Sequence, residues 1–389
     1  MNDAPRVLVY ASFALPPQLR FIEQPMRHLQ RWRPTLLCAA RSPKSIDLGG
    51  LDVVSLDPPW PRKLWWARRR LRGLMRRAAP ADVRQVKALG ASLLHAHFGP
   101  EGVLMAPVAK AAGLPLLVTM HGFDIQSKES FWTSGGAGWW HRDYPNQLRA
   151  IAADGAHFVA VSRAIARLAV QWGIPESQVH YQPIGIDTRL FKPTPVPLVD
   201  RPPRVVFVGN HIERKGGHHL VRAMAMVRRE VPNAELMMVG DGPERPRWQA
   251  LAEQLGVRAT FTGRVSPDGV REALGGAVAF CLPAVRLPHH NLAEGFGLVV
   301  IEAAAMGLPV VTSAQGRDSE GLIHGETGFA VPGGDEAALA EHLTTLLQDR
   351  ALAQRMADAG PGFVRDRFDL HQCTLELELL YDRLASGAA

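Results

Sequence analysis

The chain has 389 residues, 47% of them hydrophobic, and a formal net charge of +7. That length points to about two domains, and the apolar fraction is that of a globular protein able to bury a sizeable core. Cys38, Cys281 and Cys373 are far apart and odd in number, which excludes a disulfide framework or cysteine metal site and favours a reducing compartment. No apolar run reaches about eighteen residues, so no membrane span is expected.

Taken in order, the first elements read as strands at Arg6–Ser12, Pro34–Ala40, Leu51–Leu56, Leu93–Phe98, Pro115–His121, His157–Ser162 and Val179–Gly185. Several are nearly continuous apolar runs, the pattern of strands buried on both faces, and they alternate with helical patterns. That alternation predicts a parallel α/β sheet. Met1–Arg6 offers no basic leader before a long apolar core, so no signal peptide is expected and the protein reads as cytoplasmic.

Residues 62–77 hold eight basic residues and no acid, interleaved with Trp65, Trp66, Leu64, Leu71, Leu74 and Met75. This suits an anionic membrane surface on the inner face of a membrane, through residues 60–77; a solvated basic face docked by its apolar residues fits equally well. Trp132, Trp139 and Trp140 flank the Gly-rich stretch Ser134–Gly138, which reads either as an acceptor- or lipid-facing loop or as a local hydrophobic staple.

A proline-dense stretch with no periodicity, residues 191–203, reads as a linker. The strand–helix pattern then restarts. Strands are expected at Arg204–Gly209, Ala234–Gly240, Ala259–Val265, Val278–Ala284, Leu308–Ser313 and Gly328–Val331. Helices are expected at Gly217–Glu230, Arg245–Leu255, Pro267–Gly275, Leu298–Met306 and Glu336–Ala359, with a last one near Asp369–Leu384. The fold class is therefore α/β, with two Rossmann-like doubly wound domains, whose ligands sit beyond the carboxyl ends of the strands.

The second half carries the chemistry. Its first strand runs into Gly209-Asn210-His211-Ile212-Glu213-Arg214-Lys215-Gly216-Gly217 and a helix. A glycine at a strand end permits close backbone approach, and two cations ahead of a helix N-terminus can neutralise a diphosphate. Further on, Glu294-Gly295-Phe296-Gly297-Leu298-Val299 opens a helix that carries Glu302. An eight-residue helical step is about 12 Å, roughly the span from the sugar to the ribose of a nucleotide sugar. A helix N-terminus, a ready anion site, lies between the two carboxylates.

These two segments resemble the retaining glycosyltransferases of family 4, with the GT-B fold. Their signature is a Glu, seven residues and a second Glu, with Gly-Phe-Gly after the first. The resemblance is patchy to residue 190 and strong over 204–335. It implies an acceptor-side domain at 1–190, a nucleotide-sugar domain at 204–365, and a helix at 366–389 packing back on the first domain. It also implies that Arg214 and Lys215 bind the donor diphosphate, that Glu294 holds sugar hydroxyls, and that Glu302 holds the ribose diol. Gly209 and Asn210, with Gly295, Phe296, Gly297, Leu298 and Val299, would line the donor, and Arg264 and Val265 would lie against the base. His121 in Thr119-Met120-His121-Gly122-Phe123-Asp124 matches the family's cleft histidine, and Asp124 is a helper of the acceptor hydroxyl.

Two positions depart from the family. Asn210 stands where many members carry Arg, and Arg214 beside Lys215 offers a replacement charge. Ala11–Pro17 has proline where many members have Gly-Gly, so the acceptor side is poorly specified.

His95 and His97 share a strand face, and with His121 they offer a metal set that no carboxylate or cysteine completes; strand-end or core histidines are the simpler reading. Asp-x-Asp, P-loop, zinc-protease and nucleophile-elbow motifs are absent, and Val239-Gly240-Asp241-Gly242-Pro243 lacks the third glycine of a dinucleotide fingerprint. The expected activity is metal-independent hexosyl transfer with no cofactor. The donor is a UDP- or GDP-type sugar, the acceptor is a glycan or lipid-linked glycan, as in bacterial polysaccharide assembly, and no nucleic acid is involved. The competing readings are another GT-B enzyme, such as a sugar-nucleotide epimerase or a phosphorylase, and a non-catalytic nucleotide-sugar binder.

Overall fold

A computed structural model of the chain describes residues 4–16, 19–40, 45–56, 67, 71, 75–313 and 319–387. The chain divides into two compact units, one made of Met1–Gly185 with Leu370–Ala389, the other of Ile186–Asp369.

The first unit contains a seven-stranded sheet in the order β3-β2-β1-β4-β5-β6-β7. Its strands are β1 (Arg6–Phe13), β2 (Arg33–Ala40), β3 (Asp52–Ser55), β4 (Leu93–His97), β5 (Leu116–Met120), β6 (His157–Ala160) and β7 (Val179–Tyr181). Every pairing is parallel. The central strands β4 and β5 are buried along their whole length, which is why they read as unbroken apolar runs. Val7, Val9, Leu36, Leu93, Leu117 and Val159 form the core with Trp32, Leu380 and Tyr381.

The last two of those core residues lie on the C-terminal helix Leu370–Ala385, which therefore belongs to the first unit. A carboxylate locks it there. Glu378 Oε1 accepts the backbone N–H groups of Gln30, Arg31 and Trp32 at 2.9, 2.7 and 3.1 Å. Asp382 takes the Trp32 indole N–H at 2.9 Å and pairs with Arg31.

The second unit has six strands in the order β10-β9-β8-β11-β12-β13. They are β8 (Arg204–Val208), β9 (Glu235–Val239), β10 (Ala259–Gly263), β11 (Ala279–Leu282), β12 (Val310–Thr312) and β13 (Gly328–Ala330), all paired in parallel. The strand order reverses direction between β8 and β11. Ligands of such sheets bind at this point, outside the carboxyl ends of the two strands.

Three sequence expectations change. The proline-dense stretch 191–203 is not a free linker but packs within the second unit. The buried Arg201 guanidinium holds it, donating to Ala277 O at 3.0 Å, to Val196 O and to Thr194 Oγ1. The unit boundary accordingly falls at Gly185/Ile186. The helix expected over Glu336–Ala359 is two, Glu336–Gln348 and Arg350–Phe368. Asp349 ends one and caps the next, its carboxylate accepting the Leu352 N–H at 2.8 Å.

Around the Gly-rich stretch, Trp132 is the staple: fully buried, its ring centroid is 4.4 Å from that of Tyr144. Trp139 is 66% exposed. Most of the basic stretch 60–77 lies outside the described residues. The three cysteines are buried. Among the described residues, no helix is long and apolar enough to cross a membrane.

Candidate functional site

The loops after β8 and β11 meet at the reversal point of the second sheet. The first of them, Gly209–Gly216, is shaped by glycine. At Gly216, φ is +68° and a Cβ would stand 1.9 Å from Pro283 O, so only glycine lets the loop lie against the end of β11. At Gly240, φ is +123° and a Cβ would meet Gly209 O at 2.0 Å. Arg214 then fastens the second loop at two points. Its carbonyl accepts the Val285 N–H at 2.8 Å, and its guanidinium donates to Ala293 O at 2.7 Å.

This fastening sets Glu294 against both cations. Lys215 Nζ donates to Glu294 Oε2, and Arg214 Nη1 lies 3.4 Å from Oε1, which also accepts the Gly295 N–H at 3.1 Å. Burial alone would push the Glu294 carboxyl up. The charges of Lys215 and Arg214 and the hydrogen bonds from Lys215 and Gly295 outweigh it and hold the group at about 2. Glu294 is therefore ionised at neutral pH, and the cluster of two cations and one carboxylate keeps a net positive charge.

The helix Leu298–Ala305 begins directly after this cluster. Its N-cap is Gly297, at φ +85°, with no side-chain cap among the described residues. Glu302 lies half-buried within the helix, and burial raises its carboxyl to about 7. One segment thus carries two carboxyls in opposite environments, one fixed as an anion and one titrating near neutrality.

The other expected donor residues divide. Gly209 is half-buried against the loop, and Asn210 is exposed at its mouth. Leu298 and Val299 are half-buried in the first turn of the helix. Gly295 is buried. Phe296 turns away from a ligand-facing role, only 7% exposed and packed on Phe368 at 5.5 Å. Arg264 and Val265 are exposed beyond β10, the edge strand two places from β8.

In the first unit the histidines form a chain. His95 is buried and bonded on both sides, Nδ1 to Tyr381 Oη at 2.7 Å and Nε2 to Thr119 Oγ1 at 2.6 Å. It is a core histidine, and burial lowers it to about 3. His97 Nδ1 lies 2.9 Å from His121 Nε2. Phe21 and Phe98 each approach the His121 ring at 4.7 Å. Phe98 adopts φ +75°, a strained value for a bulky residue.

Burial, then the nearby His95, lowers His121 to about 3, so its ring is neutral. Its Nδ1 is buried with no partner among the described residues. A cavity of about 50 Å³, lined by Phe21, Met26, His97, His121, Leu377 and Tyr381 among others, lies beside it. Among the described residues, no group of histidine, cysteine and carboxylate side chains is arranged to hold a metal.

Asp124 does not serve an acceptor hydroxyl in this arrangement. It is 0% exposed and accepts the N–H groups of Gly99 and Gly122, each at 2.9 Å. Burial raises its carboxyl, and those backbone donors oppose the rise. It anchors the β5-end loop to the start of the helix Gly99–Ala112. Two histidines of the second unit escaped the sequence reading. His211 is fully buried, and His290 lies on the loop that carries Glu294. A His-His pair ending four residues before the motif glutamate was the available signal for His290; nothing in the sequence marks His211, which stands between exposed Asn210 and half-buried Ile212.

Two family models match the chain, "Glycosyltransferase Family 4" over residues 20–190 and "Glycosyl transferases group 1" over residues 190–363. A GDP-mannose-dependent alpha-(1-6)-phosphatidylinositol monomannoside mannosyltransferase of Mycobacterium tuberculosis (strain ATCC 25618 / H37Rv) is 31% identical over 274 residues, 67% of this chain and 68% of that protein. The putative colanic acid biosynthesis glycosyltransferase WcaL of Escherichia coli (strain K12) is 26% identical over 66% of this chain and 62% of that protein.

Among solved structures, sucrose-phosphate synthase from Thermosynechococcus elongatus matches with a TM-score of 0.76 at 23% identity, over 98% of this chain and 100% of that one. Anabaena HepE in complex with UDP matches with a TM-score of 0.76 at 20% identity, over 97% and 99%. The two parallel-sheet units are thus those of the GT-B fold. With both halves matched by family models and a relative aligned over two thirds of each chain, the protein belongs to glycosyltransferase family 4.

Proposed function

We propose that the protein transfers a hexose, with retention at the anomeric carbon, from a nucleoside-diphosphate sugar to a hydroxyl of a glycan or lipid-linked glycan. The observation that carries this reading is the Arg214–Lys215–Glu294 cluster beside the N-terminus of the helix Leu298–Ala305. Its net positive charge suits the negative charge that develops on a departing diphosphate. Glu302 takes the ribose diol, and Glu294, kept ionised, accepts from sugar hydroxyls.

The bond from the anomeric carbon to the phosphate oxygen breaks as the acceptor oxygen bonds to the same face. The acceptor proton passes to the leaving phosphate oxygen. Charge neutralisation by Arg214, Lys215 and the helix makes a metal unnecessary in this scheme, so turnover should survive EDTA. In the first unit, the region around His121 is assigned to the acceptor. GDP-mannose is the first donor to test, because the mycobacterial relative is named as GDP-mannose-dependent; UDP-sugars come next. Exposed Trp139, Leu71 and Met75, with the basic stretch 62–77, support contact with an anionic membrane, which sedimentation with anionic liposomes tests.

Product analysis with each donor and a lipid-linked glycan acceptor tests the transfer itself. A new glycosidic bond of the donor's own anomeric configuration supports it. A free epimerised nucleotide sugar, phosphate-dependent cleavage, or binding without turnover would replace it with the epimerase, phosphorylase or non-catalytic reading.

A further inference from the structure

The proposed diphosphate seat is short of charge. Arg214 and Lys215 supply two cations, and Glu294 spends one of them. A sugar-linked diphosphate brings one negative charge per phosphate and gains another as it leaves. The exposed side chain at the head of the β8 loop, Asn210, is neutral.

The loop across from it carries a further group. Arg214 pins that loop at Val285 and at Ala293, and the span between the pins contains His289 and His290. A backbone hydrogen bond from His290 to Leu287 O at 2.9 Å turns the chain there, and the two imidazoles lie 4.4 Å apart. His290 is half-buried, and its Nδ1 is buried with no partner among the described residues. That unpartnered nitrogen lies on a loop that Arg214, an expected ligand of the anion, fastens on both sides of it.

Resting on the donor-site reading above, we propose that His290 is a further ligand of the donor diphosphate, an imidazole that engages the anion with uptake of a proton. In the free protein, burial first, then His289 and Arg214, lower His290 to about 4, so it is neutral. The groups that act on it are His289 on its own loop and Arg214 on the β8 loop. An arriving diphosphate reverses the sign of that environment. It screens Arg214 and supplies an acceptor for an imidazolium N–H. His290 then stands in for the arginine that Asn210 replaces, carrying its charge only while donor is bound.

Calorimetric titration of the full-length protein with UDP and with GDP at pH 6, in buffers of different ionisation enthalpy, reads the proton directly. The wild type should take up about one proton more than His290→Gln. Glu302 ionises in both proteins, so its opposite contribution cancels in the difference. Wild-type affinity should also fall about tenfold more than the variant's between pH 6 and pH 8. His290→Lys, permanently charged, should bind at pH 8 at least as tightly as the wild type does at pH 6, without the added proton uptake. Nucleotide binding with equal proton counts in wild type and His290→Gln would overturn the proposal alone. Failure of the wild type to bind either nucleotide would overturn the donor-site reading and this proposal with it.

Discussion

Lys215 and Glu294 stand 79 residues apart in sequence and form an ion pair at the reversal point of the second sheet. Neither residue is near the other in any local sense. Strands β8 and β11 are neighbours, and the loops that leave them carry one partner each. The pair is largely shielded from water, so removing one member leaves the other badly placed.

Lys215→Ala should therefore cost about 3 kcal/mol of stability, the low end for breaking a buried pair, because Arg214 and the Gly295 N–H still face the carboxylate. Turnover should fall by about 100-fold or more, because the same ammonium faces the leaving group. Denaturant unfolding and donor turnover measure the two separately. The pH dependence has a definite sign. Glu294 lies below its ordinary 4.5, so its contribution is present above pH 4.5 and fades as the pH falls toward 2. In Lys215→Ala that acid-side loss should shrink.

Glu302 behaves in the opposite sense. Its carboxyl rises from 4.5 to about 7, so the native protein holds a proton that the unfolded chain releases. Stability falls as the pH rises from 4.5 to 7 and levels off above it. Glu302→Gln should remove this decline and gain about 3 kcal/mol on the wild type between pH 4.5 and pH 8. Unfolding midpoints across that range check it. A wild-type curve parallel to the variant's would show that the carboxyl is not raised.

His211 is a stability fault. Its ring is 0% exposed among Phe207, Trp248 and Phe261, and neither ring nitrogen has a hydrogen-bond partner among the described residues. His211→Leu should stabilise the protein by about 1–2 kcal/mol at pH 7, since it removes two buried unpaired polar atoms. Burial holds the ring at about 4; the attraction of Asp241 is insufficient to offset it, and Arg245 adds to the lowering. The unfolded chain binds its proton first as pH falls below 6.5, so the gain should be larger at pH 5. Thermal unfolding at both values decides this.

Of the two carboxylates that tie down the C-terminal helix, Glu378 and Asp382, the first holds backbone. Glu378→Ala would strip the acceptor from three backbone N–H groups in the turn Gln30–Trp32. The expected cost is about 2–4 kcal/mol, the loss of charge-assisted bonds plus unpaired donors. Hydrogen exchange should locate the effect at residues 30–32 and along Leu370–Ala385. Unchanged protection there would contradict the assignment.

What the sequence made legible follows from how its signals are encoded. Strands such as Leu93–His97 and Leu116–Met120 are buried on both faces, so composition alone marks them. Gly216 and Gly297 announce their loops because the backbone there needs positive φ. The role of 191–203 was not legible, because prolines look alike in a linker and in a packed segment, and only Arg201 and its carbonyl partners distinguish them. Asp124 followed a histidine in a motif and looked like a ligand; the two glycine N–H groups that occupy it are invisible in sequence. His290 was missed because its significance lies in Arg214 fastening a loop seventy-odd residues away.

The most direct test is a thermal-shift panel of UDP-, GDP- and ADP-sugars on the wild type and Glu302→Ala. The account predicts that one nucleotide class raises the wild-type midpoint and that the shift is much weaker in the variant, whatever the variant's own starting midpoint. No shift of the wild type with any of them, or an equal shift in both proteins, would contradict the placement of the donor at the Lys215–Glu294–Glu302 site.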